Sequence, residues 1–360
     1  MVLPGLRLWL DPRRVQAPPH HVFVSHAHSD HTARHPEPVC TAATARLMRV
    51  RLPGERRAHQ LDFRCPLPRE TDGVPWRITL FPAGHILGSA MALVEGDGPR
   101  VLYTGDFKLR SGWAAEACEP QPADTLIIET TFGRPQYVFP PPSTVLAEIV
   151  RFCRETLDRR ETPVLLAYAL GKSQALLRGL ADAALPLALD ESVHRYTRVY
   201  EELGQSFPPY TRFEPECAAG HVVLSPPGSA KLEALRASGR IRCAWVTGWA
   251  LDRGFRFRAK VDAAFPLSDH ADYPELLEFV ERVQPRRVYT VHGFAADFAR
   301  TLREMGIDAR ALGQEEQLDL PLAPARRLRR GARHAVRFVP RPQRKRARRA
   351  LRPRRNTGRS

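Results

Sequence analysis

Six consecutive residues, His26-Ala27-His28-Ser29-Asp30-His31, constrain this chain more than any other feature of it. They follow an apolar strand candidate, Val22-Phe23-Val24. On extended chain, side chains two positions apart point the same way. His26 and His28 can therefore reach one ion, and Asp30 and His31 follow closely enough to serve a second. Neutral imidazole and carboxylate are ligands that Zn²⁺ and Mn²⁺ accept without thiolate. A polar loop with chance histidines is the bland alternative. Four ligand-type residues in six positions, straight after a buried strand, speak against it.

The same event recurs along the chain. A strand at 76–81 runs into Pro82-Ala83-Gly84-His85. A hairpin of strands 91–94 and 101–103 ends at Thr104-Gly105-Asp106, and Leu126-Ile127-Ile128 ends at Glu129. Later, residues 266–272 carry Ser268-Asp269-His270-Ala271-Asp272, and 287–291 runs into His292-Gly293. Taken singly, His85 could be an ordinary loop histidine and Asp106 a turn residue. Rigid strands that aim loop-borne His and acidic groups are how layered α/β enzymes build sites. Helical patterning is expected over 41–51 and again after Asp272, which suits a helix cap better than catalysis.

Residues 136–265 read differently. Pro140-Pro141-Pro142 marks a break, with Ser143 as N-cap of a helix to 157. A strand at 164–167 turns at Gly171 into a helix over 172–184, and βα alternation continues through strands at 222–224 and 243–246. This is the pattern of a second α/β domain. Lys172 and Ser173 open a helix whose first N–H groups could hold a phosphate, and a plain βα turn is the alternative. Lys108 either reaches a phosphate or is an exposed lysine with no such role. Trp245, Trp249, Phe255 and Phe257 are candidate stacking platforms for bases, although such aromatics are more often core.

Composition sets outer limits. The chain has 360 residues, 43% hydrophobic and 26% charged, enough to bury a core. Its formal charge is +16, yet residues 326–360 hold 16 Lys+Arg and no acid, which leaves 39 basic against 39 acidic groups before them. That Arg- and Pro-rich tail reads as disordered and attractive to polyanions. Nucleic acid is its natural partner; an anionic membrane or mere solubility are the rivals, and no amphipathic apolar face supports the membrane. No apolar run approaches the ~20 residues of a membrane span, and the N-terminal stretch lacks the pattern of a secretory signal. Six scattered Cys without a CxxC pair suit a reducing cytoplasm.

The motif 26–31 resembles the signature of the metallo-β-lactamase fold, and Ala83-Gly84-His85 and Thr104-Gly105-Asp106 match its next two ligand motifs in order. Glu129-Thr130-Thr131-Phe132-Gly133 resembles the first motif of the β-CASP nuclease branch. The segments 268–272 and 291–293 resemble its last two, and Tyr168-Ala169-Leu170-Gly171-Lys172-Ser173-Gln174 matches a strand–turn–helix segment of it. That branch includes RNase J, 3′-end processing nucleases and Artemis-type DNA nucleases; the short bacterial ligase-associated DNA exonucleases look most similar. The resemblance covers about residues 5–315.

What the resemblance implies is an α/β protein: a metallo-β-lactamase αββα sandwich (1–135 and 266–325), an inserted β-CASP α/β domain (136–265) and a disordered basic C-terminal tail (326–360). Carried over residue by residue, His26, His28, His85 and Asp106 would hold one divalent metal. Asp30, His31 and His292 would hold another, with Asp106 bridging; Zn is the first choice and Mn the alternative. Asp30, His270 and Glu129 would form the catalytic set, His270 as general acid oriented by Glu129, with a purely structural strand-end pair as the other reading. Lys172, Ser173 and Lys108 would contact substrate.

The expected function is a two-metal nuclease, first a DNA exonuclease acting on single-stranded DNA or DNA ends in repair. A DNA ligase and a helicase would be its partners, with no membrane. The alternative is an RNase of the RNase J or 3′-end processing type. A small-molecule metallo-hydrolase and a non-catalytic nucleic-acid-binding subunit are readings of other classes.

Overall fold

The computed structural model describes residues 1–237 and 240–313. Period-2 alternation decides how its strands pack. In Thr125–Glu129, Ile127 faces one core while Leu126 and Ile128 face another. In His21–Phe23, Phe23 points to the first core and Val22 away from it. Strands with two apolar faces need cover on both sides. Two sheets meet at the shared core. One has five strands, Val2–Leu3, Leu8–Leu10, His21–Phe23, Pro38–Cys40 and His59–Gln60, in chain order. The other runs in the order Asp308–Ala311, Arg287–Val291, Thr125–Glu129, Val101–Tyr103, Ala90–Glu95, Val74–Pro82, Leu67–Thr71.

Helices cover the outer faces. Tyr273–Val283 and Ala295–Glu304 lay Leu276, Phe279, Val280, Phe298 and Leu302 on the seven-stranded sheet. Ala42–Arg51 covers the five-stranded one with Leu47 and Met48, its N-terminus capped by the Thr41 side chain. The result is the αββα layering of a metallo-β-lactamase sandwich. Strands 101–103, 125–129, 287–291 and 308–311 are mutually parallel, as are 8–10, 21–23, 38–40 and 59–60. Their carboxyl ends gather at one edge, where open α/β sheets place ligands.

A third sheet, six parallel strands in the order Tyr210–Arg212, Leu187–Leu189, Val222–Ser225, Thr162–Leu166, Ile241–Val246, Ala263–Phe265, occupies the middle of the chain. Helices Pro142–Asp158, Lys172–Gly179 and Glu191–Glu202 cover one face, and Ala230–Ala237 the other. Glu191–Glu202 also turns Tyr196, Val199 and Tyr200 onto the core beneath Ala42–Arg51. All three sheets belong to one compact unit.

Two expectations about helix ends are corrected. Pro142 opens its helix, so Ser143 lies inside the first turn and is not the cap; proline's fixed φ and missing N–H suit that first position. The helix expected over 172–184 ends at Gly179 and gives way to a 3-10 turn, Ala181–Ala183. Among the described residues, no helix is long and apolar enough to cross a membrane. The basic tail lies outside the described residues.

Candidate metal centre

Each candidate ligand follows the carboxyl end of a strand. His26, His28, Asp30 and His31 follow His21–Phe23, His85 follows Val74–Pro82, Asp106 follows Val101–Tyr103, and His292 follows Arg287–Val291. Tight backbone holds these loops together. Gly84 adopts φ +78°, and a Cβ there would lie 2.3 Å from the Lys108 carbonyl oxygen. Gly293, at φ +52°, would push a Cβ to 2.4 Å from Thr131 Cα. Neither position accepts a side chain.

One ligand atom from each of His26, His28, His85 and Asp106 lies within 4.8 Å of all the others. His28 Nδ1 is 3.1 Å from both His26 Nε2 and His85 Nε2, and Asp106 Oδ2 is 3.6 Å from the first and 3.9 Å from the second of these Nε2 atoms. The hydrogen bonds at the far side of each ring fix the tautomers. His28 Nε2 donates to the Leu170 carbonyl (3.1 Å), and His85 Nδ1 to the Asp269 carbonyl (2.8 Å). Ser25 Oγ gives its only proton to Asp11 Oδ2 (2.5 Å), so it accepts from His26 Nδ1 (3.0 Å).

Burial, reinforced by the neighbouring rings, pushes the pKa of His26 well below the usual histidine range, that of His28 down to about 4, and that of His85 down. These rings are neutral, and the three nitrogens that face one another carry bare lone pairs. Lone pairs 3.1 Å apart beside a carboxylate repel unless a cation lies among them. Bonds of about 2.0–2.1 Å to one tetrahedral ion place donors roughly 3.3 Å apart. The donor set therefore fits a divalent metal.

The remaining ligand candidates are more open. His31 Nε2 is 3.3 Å from Asp106 Oδ2 and 3.7 Å from Asp30 Oδ2. The ring of His292 is 5.6 Å from that of His31, and Asp30 is exposed. Burial would lower the pKa of His31, but Asp106 and Asp11 outweigh it and hold it well above the usual value. The proton on Nε2 thus sits where a cation could sit. Asp106 is held well below the usual carboxylate range: burial opposes this, and His31 and His270 overcome it.

Glu129 and His270, 141 residues apart in the chain, meet with Nδ1 donating to Oε1 at 2.9 Å. The Glu129 carboxylate also accepts from Phe107 N, Thr131 N and Thr131 Oγ1. It is thereby fixed, and it orients the ring. Burial works against protonation of His270, yet Glu129 and then Asp106 raise its pKa to about 9. The side chain remains 22% exposed. His270 shares a cavity of about 490 Å³ with His28, Asp30, His31, Asp106 and His292.

The three residues expected at substrate behave differently from one another. Lys172 is buried, with its ammonium 2.8 Å from Asp269 Oδ1 and donating to the Leu267 carbonyl at 3.0 Å. Ser173 Oγ donates to the Tyr168 carbonyl. Both are already partnered. The Lys108 ammonium makes no ion pair or hydrogen bond among the described residues, and burial next to Lys172 brings its pKa down to about 8. Asp272 caps Tyr273–Val283 through a reciprocal pair with Glu275 and also binds Arg110. Of the aromatic candidates, Trp249 packs on Phe132 and Tyr137 and Trp245 on Phe255, while Phe257 is exposed.

Asp11 is the functional residue that sequence reasoning missed. It accepts from Ser25 N, Ser25 Oγ, Tyr103 Oη and His31 Nδ1, and so orients His26 and His31 together. Partners of this kind set ligand orientation and basicity. The signal was present: Leu8-Trp9-Leu10-Asp11 is one more strand that ends on an acid.

The chain is similar to known families. Residues 4–164 match the model of a beta-lactamase superfamily domain, and 256–312 that of a Zn-dependent metallo-hydrolase RNA specificity domain. A "Probable DNA ligase" of Opitutus terrae is 51% identical over 321 residues, 89% of this chain and 31% of that protein. The "5' exonuclease Apollo" of Gallus gallus is 27% identical over 75% of this chain and 58% of its own length. The chain thus spans about a third of the first relative and less than two thirds of the second. A solved protein of unknown function from Enterococcus faecalis shares the fold, with TM-score 0.55 at 13% identity over 83% of this chain and 80% of its own. The chain belongs to the metallo-β-lactamase superfamily, in its β-CASP branch.

Proposed function

We propose that this chain is a two-metal nuclease that hydrolyses phosphodiester bonds of DNA. The observation that carries the reading is the meeting of three bare imidazole nitrogens and the Asp106 carboxylate beside the Glu129–His270 pair, at a cavity that His28, Asp106 and His270 line. His26, His28, His85 and Asp106 would hold one ion; Asp30, His31 and His292 would hold the other, with Asp106 between them. Zinc is the first choice, which the neutral imidazole and carboxylate donors favour, and manganese the second. Two such ions supply Lewis acidity toward a phosphodiester and a water nucleophile at neutral pH.

The rest of the chemistry falls to the chain itself. Glu129 holds His270 with Nδ1 protonated and leaves Nε2 free among the described residues. With its pKa raised by Glu129 and Asp106, the ring also carries a proton on Nε2, and it is this second proton that can pass to the departing 3′-oxygen. Lys108 supplies an uncommitted cation at the base of the Asp106 loop. The domain of residues 136–265 forms one wall of the groove, since its Leu170 carbonyl already touches His28.

Repair alongside a ligase, acting on single strands or DNA ends, is supported by likeness to part of a protein named for a ligase and to one named a 5′ exonuclease. A helicase and the ligase would be working partners. RNA cleavage is the second reading, favoured by the RNA specificity domain matched at 256–312. Digestion of matched 5′- and 3′-labelled single-stranded DNA and RNA, with Zn²⁺ or Mn²⁺ supplied, tests both. DNA shortened stepwise from one end is the expected result. Preferential loss of RNA establishes the second reading, and no cleavage of either refutes both.

A further inference from the structure

Two side chains on the rim of the metal cavity have no role in holding metal or moving protons. Tyr168 is 56% exposed. Of the five large apolar side chains left exposed among the described residues, it is the one that lines this cavity. An exposed aromatic ring is not explained by packing. Its backbone, by contrast, is firmly tied. Ser173 N and Oγ both donate to the Tyr168 carbonyl, at 3.1 and 2.8 Å, and Gln174 Nε2 donates to the next carbonyl, that of Ala169, at 3.1 Å. The third carbonyl, that of Leu170, is the one His28 holds. The ring is thus carried on a loop in fixed register with a metal ligand.

Arg51 lies on the same rim, at the last residue of Ala42–Arg51. Among the described residues no carboxylate is in ion-pair range of it, and its buried Nε has no hydrogen-bond partner. The guanidinium is steadied instead over the ring of Tyr196, 5.7 Å from its centre. An orphaned buried N–H on a cation is costly without an anion to receive it. A nucleic-acid strand offers both missing partners: a flat base for the ring and a phosphate for the guanidinium.

We propose that Tyr168 and Arg51 form a nucleotide subsite on the cavity rim, Tyr168 stacking on a base next to the scissile phosphate and Arg51 gripping a neighbouring phosphate. The subsite rests on the nuclease reading above and adds how the strand is seated. It takes any base, because every base has a π-face. Its energetic signature is binding and not chemistry.

The test uses the full chain. Binding of a fluorescein-labelled single-stranded oligonucleotide is followed by anisotropy on metal-free protein, and kcat and KM are measured on the metal-loaded protein. Tyr168→Ala is expected to weaken binding and raise KM by about 5- to 100-fold, with a smaller change in kcat. Tyr168→Phe should restore most of this. Arg51→Ala should weaken binding about tenfold and flatten its salt dependence; Arg51→Lys should recover part of it.

A substrate that is abasic beside the cleaved bond supplies the decisive arm. The wild type should handle it as poorly as Tyr168→Ala handles the normal strand, and Tyr168→Ala should lose nothing further on it. Unchanged anisotropy in both alanine variants, with wild-type binding intact, overturns the subsite and leaves the nuclease reading standing. A wild type that neither binds nor cleaves single strands overturns both.

Discussion

The two halves of the site are built on unlike principles. On the sandwich side, loops at the carboxyl ends of strands from two facing sheets supply every candidate metal ligand, and the rings of His26, His28, His31 and His85 are each locked by a hydrogen bond on the far side. On the side of the six-stranded sheet, the loop 168–170 supplies one backbone carbonyl and one exposed ring. The first half presents the candidate ligands in a locked arrangement, in which a change of geometry is expected to cost most. The second makes a surface and tolerates more. His270 stands at the seam, on the chain that leaves Ala263–Phe265 to return to the sandwich.

Substitutions should grade accordingly. Asp106→Ala should act most strongly, since its carboxylate faces His26, His31 and His85 at once. Activity should fall by more than the ~10²–10⁴-fold that one acid contributes, with metal lost at both positions and circular dichroism unchanged. A folded, fully active variant would remove the basis for a shared bridging group.

His270→Ala should come next. Its kcat should drop by about 10²–10⁴-fold, while elemental analysis shows near-normal metal. Loss of one metal equivalent would mean that His270 is a ligand. The pH profile adds a sign. The folded pKa of His270 is raised, to about 9, so the acid form is present at neutral pH and lost as pH rises. Bound dications pull this limb downward. Glu129→Gln removes the principal raising partner and should move the alkaline limb of kcat to lower pH. The same raised pKa stabilises the fold below about pH 6.5, and that contribution fades as pH climbs through about 9. An alkaline limb unmoved in Glu129→Gln contradicts the pairing.

Asp11→Asn leaves one oxygen where two now receive four hydrogen bonds. Metal affinity should weaken about 10–100-fold, read by chelator competition, with a lower Tm because less ion binds the native state. Gly171→Ala is the mildest. Its φ of +86° and a Cβ 2.2 Å from Ile86 Cγ2 should cost about 1–3 kcal/mol of stability. The shift passes to the Leu170 carbonyl, so metal binding should fall only severalfold. A drop as large as that of Asp11→Asn would show that the second half governs the first.

Legibility in the sequence follows the same division. The ligand motifs could be read because strand ends concentrate His and acids in short Gly-containing loops, and metal chemistry permits few residue types there. Asp11 escaped because a single acid after Leu8-Trp9-Leu10 looks like any strand end, and its role appears only when Ser25, His31 and Tyr103 converge on it. Lys172 reads from sequence as an available cation at a helix start, yet its ammonium is taken by Asp269, almost a hundred residues away. Tyr168 opens a matched segment without a role assigned to it there, and Arg51 lies in no motif. Their significance is exposure and lack of partners, which are properties of the folded surface.

The most direct measurement concerns the three lone pairs. Crystals grown with Zn²⁺ and measured at the zinc absorption edge should show an anomalous peak about 2.0–2.1 Å from each of His26 Nε2, His28 Nδ1 and His85 Nε2, with Asp106 Oδ2 beside it. Ordered side chains in the arrangement described here, with no peak among them, would contradict the account.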